Sequence, residues 1–115
     1  MKNTNQYPGV DAALFIKVKN KLIKIKSQDI YMIKSIGDYV RIHTADQKYT
    51  LHTTMKSITN KLPVKDFIRV HQSYIVRFDK ITVINKDGCV VNNEEVPISQ
   101  AERKNLLIKI NIIGP

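Results

Sequence analysis

A chain of 115 residues with 43% hydrophobic content can bury one core but not two, so a single domain is expected. Lys and Arg number 19 against 10 Asp and Glu, a formal net charge of +9, which favours a polyanionic partner, nucleic acid ahead of an acidic membrane surface. No apolar run approaches the ~20 residues of a spanning helix, no signal-peptide pattern opens the chain, and a lone cysteine, Cys89, excludes an internal disulfide and fits a reducing cytoplasm.

Residues 1–13 lack a strong period and carry Pro8 and Gly9, which reads as a flexible tail or linker; residues 14–115 read as the folded domain. From Leu14 the alternation is regular. Ile16, Val18, Ile23 and Ile25 fall on one face and Lys17, Lys19, Lys24 and Lys26 on the other, a hairpin turning at Asn20-Lys21 that sets Lys17 opposite Lys24. Ile30 to Ile36 is the next strand. After Gly37-Asp38, Tyr39 to Thr44 alternates with Val40 and Ile42 inward and Tyr39, Arg41 and His43 on the outer face. Ala45-Asp46-Gln47 turns the chain into a partner strand over Lys48 to His52.

At Thr53-Thr54 the period changes. Met55, Ile58 and Leu62 follow at helical spacing with a threonine as N-cap, and Pro63 stops the helix. Phe67 to Arg77 then reads as a strand edge in which Ile68, Val70, Tyr74, Ile75 and Val76 suit a packed sheet, while Arg69, His71, Gln72 and Ser73 interrupt it. Each unsatisfied polar group buried there would cost about 1–3 kcal/mol, so these side chains meet one another, water or a ligand. Arg69 could also pair with Asp66. Further strands follow over Lys80 to Asn85, Cys89 to Val91 and around Val96, with turns at Lys86-Asp87-Gly88 and Asn92-Asn93. Ser99-Gln100-Ala101-Glu102 is a capping box, in which Glu102 reaches back to the Ser99 amide, and it opens a helix with Leu106, Ile110 and Ile113 on its docking stripe. The sum is a mostly β domain with two short helices.

Chemistry is thinly supplied. His43, His52, His71 and Cys89 lack close metal-ligand spacing, so no metal is expected. His71 and Ser73 lack a third group for nucleophilic catalysis, and the four glycines form no phosphate-cradling loop, so neither an enzyme nor a cofactor is expected. Polar side chains cluster instead where strands hand over to loops and at one helix start, the usual location of binding residues.

The runs DIYMIKSIGDYVRIHT, LHTTMKSITNKLP, FIRVHQSYIV followed by KITVI, and VPISQAERKNL resemble, in order and spacing, the LytTR-type DNA-binding domain of bacterial response regulators, from about Leu14 onward. The resemblance implies a compact arrangement of small antiparallel sheets with two short helices, placed after a receiver domain. It implies binding to double-stranded promoter DNA at imperfect direct repeats, with a dimer on such repeats as one arrangement. It carries loop contacts onto Tyr39, onto His71, Gln72 and Ser73, and onto Ser99 and Gln100, and a phosphate contact onto Lys56. Arg69 is expected on phosphates as well, with Arg41, Arg77 and Arg103 as secondary backbone contacts. Gln72 and Gln100 stand where the family often has Arg, and Arg77 where Asn is usual. Glutamine pairs bidentately with adenine where arginine prefers guanine, so Gln100 is expected to shift its half-site position toward A·T. The rival reading is a β module that binds a protein or an acidic surface without reading DNA sequence.

Overall fold

Two apolar runs without a polar face, Ile30–Ile36 and Tyr74–Arg77, belong in a sheet covered on both sides. The computed structural model describes residues 13–115 and has them there as neighbouring strands; of the expected tail, residues 1–12 lie outside the described residues, whereas Ala13 already opens the first strand. In chain order the elements are β1 (Ala13–Val18), β2 (Lys21–Lys26), β3 (Ile30–Ile36), β4 (Tyr39–Thr44), β5 (Lys48–Leu51), α1 (Met55–Thr59), β6 (Phe67–His71), β7 (Tyr74–Arg77), β8 (Ile81–Ile84), β9 (Gly88–Val91), β10 (Glu94–Pro97) and α2 (Gln100–Ile108). They form three antiparallel sheets: β1-β2, a central β5-β4-β3-β7-β6, and β10-β9-β8. The fold is mostly β with two helices, as expected.

The central sheet separates two cores. On one face Ile33, Val40, Ile42 and Ile75 pack with Ile16 and Ile25 of the first hairpin and with Met55, Ile58 and Leu62. On the other face Met32, Ile68, Val70 and Val76 pack with Cys89, Val91 and Val96 of the third sheet and with Leu106 of α2. A register shift between Ile30 and Met32 puts the consecutive Tyr31 and Met32 into the same core, which simple alternation would forbid.

Single 3-10 turns, Ser27–Asp29 and Phe78–Lys80, join the first sheet to the central one and the central one to the third. Arg77 fastens both. Its Nε donates to Asp79 Oδ1 at 2.8 Å, its Nη1 donates to the Ser27 carbonyl at 3.0 Å, and its guanidinium lies 5.5 Å from the Phe67 ring centre.

Several expectations are corrected. The first hairpin turns at Lys19-Asn20, with Val18 opposite Lys21, so Lys17 faces Leu22 and Lys24 faces Phe15; no like-charge pair forms between them. Phe67 to Arg77 is a hairpin and not one strand edge, because Gln72-Ser73 is a two-residue turn between His71 and Tyr74. Helix α2 keeps its cap, with Ser99 Oγ accepting from the Glu102 amide at 3.3 Å, but Glu102 does not reach back. The Ser99 amide donates to the Val70 carbonyl at 2.8 Å, and Glu102 accepts from Asn105 Nδ2 at 3.1 Å. The docking stripe shrinks to Leu106, since the helix ends at Ile108 and Ile113 is 98% exposed.

His43 shares a face with Tyr39 and Arg41, yet it is buried, 4% exposed, because the third sheet covers that end of β4. Its ring meets Tyr31 edge-on at 5.8 Å, Tyr31 donates its hydroxyl to Glu94, and neither ring nitrogen finds a protein partner among the described residues. Burial pushes its pKa below the ordinary histidine value; Glu94 opposes this, while Lys48, Arg41 and Lys34 add to it. A depressed folded-state pKa means that the unfolded chain takes up the proton first, so this contribution to stability is intact above pH ~6.5 and is lost as the pH falls from there toward the folded value. Urea midpoints of the parent should therefore drop between pH 7.5 and 5.5 by more than those of His43→Phe; equal drops would count against the assignment. A second expectation concerns Gly88, where an added Cβ would lie 2.2 Å from the Val96 carbonyl oxygen. Gly88→Ala should cost about 1–3 kcal/mol in urea denaturation as the β9–β10 pairing is forced apart.

Candidate nucleic-acid interface

The antiparallel register brings four chain segments to one end of the central sheet. β3 ends at Ile36 opposite Tyr39, across a turn in which Gly37 takes φ +57°, a left-handed conformation open to glycine without steric penalty. Beside it, the Ser35 amide donates to the Ser73 carbonyl at 2.9 Å, which ties the β6–β7 turn to the β3–β4 turn. β5 ends at Leu51 opposite Val40, and the chain enters α1 at once, with Thr54 Oγ1 accepting from the Ser57 amide at 3.0 Å. On the far side, the Ser99 amide bonded to Val70 holds the start of α2 against β6.

Tyr39, Lys56, His71, Gln72, Ser73, Ser99 and Gln100 are thereby gathered at or beside this end. Tyr39, Lys56, Gln72 and Gln100 are exposed; His71, Ser73 and Ser99 are half-buried. His71 is oriented from within its turn: Nδ1 accepts from the Ser73 amide at 3.0 Å, so in the neutral ring the proton sits on Nε2, and the ring stands edge-on to Tyr74 at 5.6 Å. Gln72, at the tip, has its carbonyl held by Arg69 Nη2 at 2.5 Å, while Arg69 Nε donates to the His71 carbonyl at 3.4 Å. Arg69 thus fastens the turn that presents Gln72, and it makes no ion pair with Asp66.

The remaining arginines divide. Arg41 is half-buried and donates from Nε to Thr50 Oγ1 at 3.2 Å on the neighbouring strand. Arg103, in the first turn of α2, donates to the carbonyls of Asn85 and Lys86 at 2.8 and 3.4 Å and so braces the β8–β9 turn. Arg77 lies opposite Phe67, at the other end of the sheet from the gathered loops, with its side chain 11% exposed.

One neighbour was missed by sequence reasoning. His52, weighed there only as a metal ligand, lies against Tyr39 with ring centres 5.1 Å apart, and both line a shallow groove with Asp38, Thr53 and Thr54. Its position just past the end of β5, opposite the start of β4, was the available signal. Among the described residues the sole ion pair is Arg77–Asp79. No group of histidines, cysteines and carboxylates there could hold a metal, and no helix is long and apolar enough to cross a membrane.

Residues 20–111 match the family described as the LytTr DNA-binding domain. The chain is 30% identical over 104 residues to the sensory transduction protein LytT of Bacillus subtilis, covering 81% of this chain and 41% of that protein. It is 28% identical over 76 residues to the transcriptional regulatory protein LytR of Staphylococcus aureus, covering 66% of this chain and 31% of that protein. The chain therefore spans less than half the length of these relatives. Among solved structures, a LytTr DNA-binding domain from Bacillus cereus superposes with a TM-score of 0.71 at 22% identity, covering 86% of this chain and 98% of that one. The family is one of regulatory DNA-binding domains and not of enzymes. By its sequence over residues 20–111 and by its fold, the chain belongs to the LytTR DNA-binding domain family.

Proposed function

We propose that this domain binds double-stranded promoter DNA sequence-specifically, at imperfect direct repeats, as the output domain of a bacterial transcriptional response regulator. The observation that carries the reading is the convergence of the β3–β4 turn, the start of α1, the β6–β7 turn and the start of α2 at one end of a rigid sheet in a chain of charge +9. Loops held this way can enter grooves while flanking lysines meet phosphates. A receiver domain preceding these residues fits the 41% share of LytT that the chain covers. Two copies side by side on a direct repeat, in the bacterial cytoplasm, complete the proposal.

Within it the gathered residues take different tasks. Gln72 and Gln100, exposed at a turn tip and a helix start, reach base edges, and Tyr39 reaches bases or sugars. Lys56 holds a phosphate. His71 Nε2–H and the Ser73 and Ser99 hydroxyls donate to phosphate. Arg69 serves this surface by fixing the turn carbonyls. Arg41 can release Thr50 to reach the backbone. Arg77 and Arg103, committed to carbonyls and to Asp79, support the fold and are left out of the contact set.

Salt separates this reading from a protein-docking module. Counterion release makes log affinity for duplex fall with log salt by about 0.9 for each phosphate neutralised, so a steep slope is expected and a flat one would favour the rival. Base reading is tested by selecting bound sites from a random duplex pool. Gln100→Arg should move one half-site position from A·T toward G·C, and Gln72→Ala should relax another by roughly 1–3 kcal/mol of discrimination. Identical selected sites for the parent and both variants would remove the glutamines from base reading.

A further inference from the structure

We infer that the tip of the β1–β2 hairpin, together with Lys61 behind α1, forms a second phosphate-holding arm that extends the duplex footprint past the loops of the central sheet. The inference rests on the DNA-binding reading and adds a surface to it. β1 lies beside β5, at the edge of the central sheet opposite the one that α2 covers. Between the hairpin and α1 runs an open groove with Lys17 and Lys19 on one wall, Ser57 and Lys61 on the other, and His52 and Thr53 at its end. His52 and Thr53 also line the groove beside Tyr39. The two grooves thus adjoin at His52 and Thr53, so a phosphate backbone that passes Tyr39 has the lysines as its next cationic neighbours along this side.

Charge singles out this groove. Three lysines stand among a lining otherwise dominated by apolar side chains, Leu14, Phe15, Ile16, Ile42, Leu51 and Ile58, and no carboxylate lines it. At the opposite end of the same hairpin, Lys24 and Lys26, with Lys80, share their groove with Asp29 and Asp46, so an anion is favoured at the tip and not there. Lys17, Lys19 and Lys61 form no ion pair among the described residues. Lys19 also holds a left-handed backbone, φ +57°, where glycine or asparagine would sit with less strain. A lysine at that position supplies a cation at the tip at the expense of turn stability. Five strands at about 4.8 Å spacing carry the contact row about 19 Å across the sheet end, and the hairpin lies beside its β5 side, on the face that Ile16 and Ile25 cover.

Lys19→Asn combined with Lys61→Gln tests the arm without straining the fold, because asparagine tolerates the left-handed turn and Lys61 is exposed. Binding is measured by fluorescence anisotropy on a duplex recovered from the random pool, once with about one helical turn of flanking DNA on each side and once trimmed flush. On the long duplex the double variant should bind roughly five- to tenfold more weakly at low salt, with a salt slope smaller by about 1.8 for two lost phosphates and an unchanged base preference. On the trimmed duplex the parent should fall to the level of the variant. Equal slopes on the long duplex, with the parent still bound, would overturn the arm alone and leave the groove, with the exposed Phe15 on its wall, to an apolar protein partner. A parent that binds no duplex would overturn the DNA-binding reading as well.

Discussion

Everything in this domain depends on a five-stranded sheet that carries a hydrophobic core on each face. Ile33, Val40, Ile42 and Ile75 anchor one core, while Met32, Ile68, Val70 and Val76 anchor the other. Over β3, β7 and β6 neither face is open to water, so that part of the sheet can meet a large partner only through its ends and edges. One edge strand, β6, is covered by α2, and the other, β5, is bordered by the first hairpin. The loops at one end become the natural contact surface for a topological reason before any question of their chemistry arises.

Those loops are short and internally tied, which matches what a reader of DNA needs. The β3–β4 and β6–β7 turns each have two residues between strands, are joined by the Ser35–Ser73 backbone bond, and carry their polar groups on a scaffold set by register. Arg69 and the His71 ring spend their hydrogen bonds inside the turn, which leaves Gln72 outward and one histidine nitrogen free. Fixing a side chain before it meets its ligand reduces the entropy lost on binding. Polar residues inside an apolar run are thus explained in two ways at once, as the internal ties of a turn and as its outward-facing tip.

Much of this was legible in the sequence because it is local. The strands Ile30–Ile36 and Tyr39–Thr44, the Thr54 and Ser99 caps, and the Asn92-Asn93 turn, whose two residues take φ 51° and 65°, follow from periodicity and backbone preference. The departures come where distant segments decide. His43 is polar by composition and outward by alternation, and only the arrival of the third sheet buries it. Arg77 looks like a free cation until Ser27, fifty positions earlier, proves to be its acceptor. The first hairpin slipped by one residue because Lys19 takes a conformation that lysine seldom adopts, and the Ile110 and Ile113 stripe failed because no core lies beyond the last turn of α2. Of the candidate contacts, the non-arginine side chains on turns and helix starts were brought together, whereas the arginines, in strands and in α2 alike, were drawn into hydrogen bonds within the fold.

Arg77 has a wider mechanical meaning. Three small sheets linked through two single-turn joints would ordinarily flex at those joints, and the distances between their loops would drift. One guanidinium bonded to Ser27 in the first joint and Asp79 in the second, and laid on Phe67, closes both at once. The domain then behaves as a caliper of fixed opening. On the proposed DNA-binding reading, a duplex whose groove spacing departs from that opening would itself have to deform to engage every loop, so the stiffness of the protein would be converted into sensitivity to the shape of the DNA.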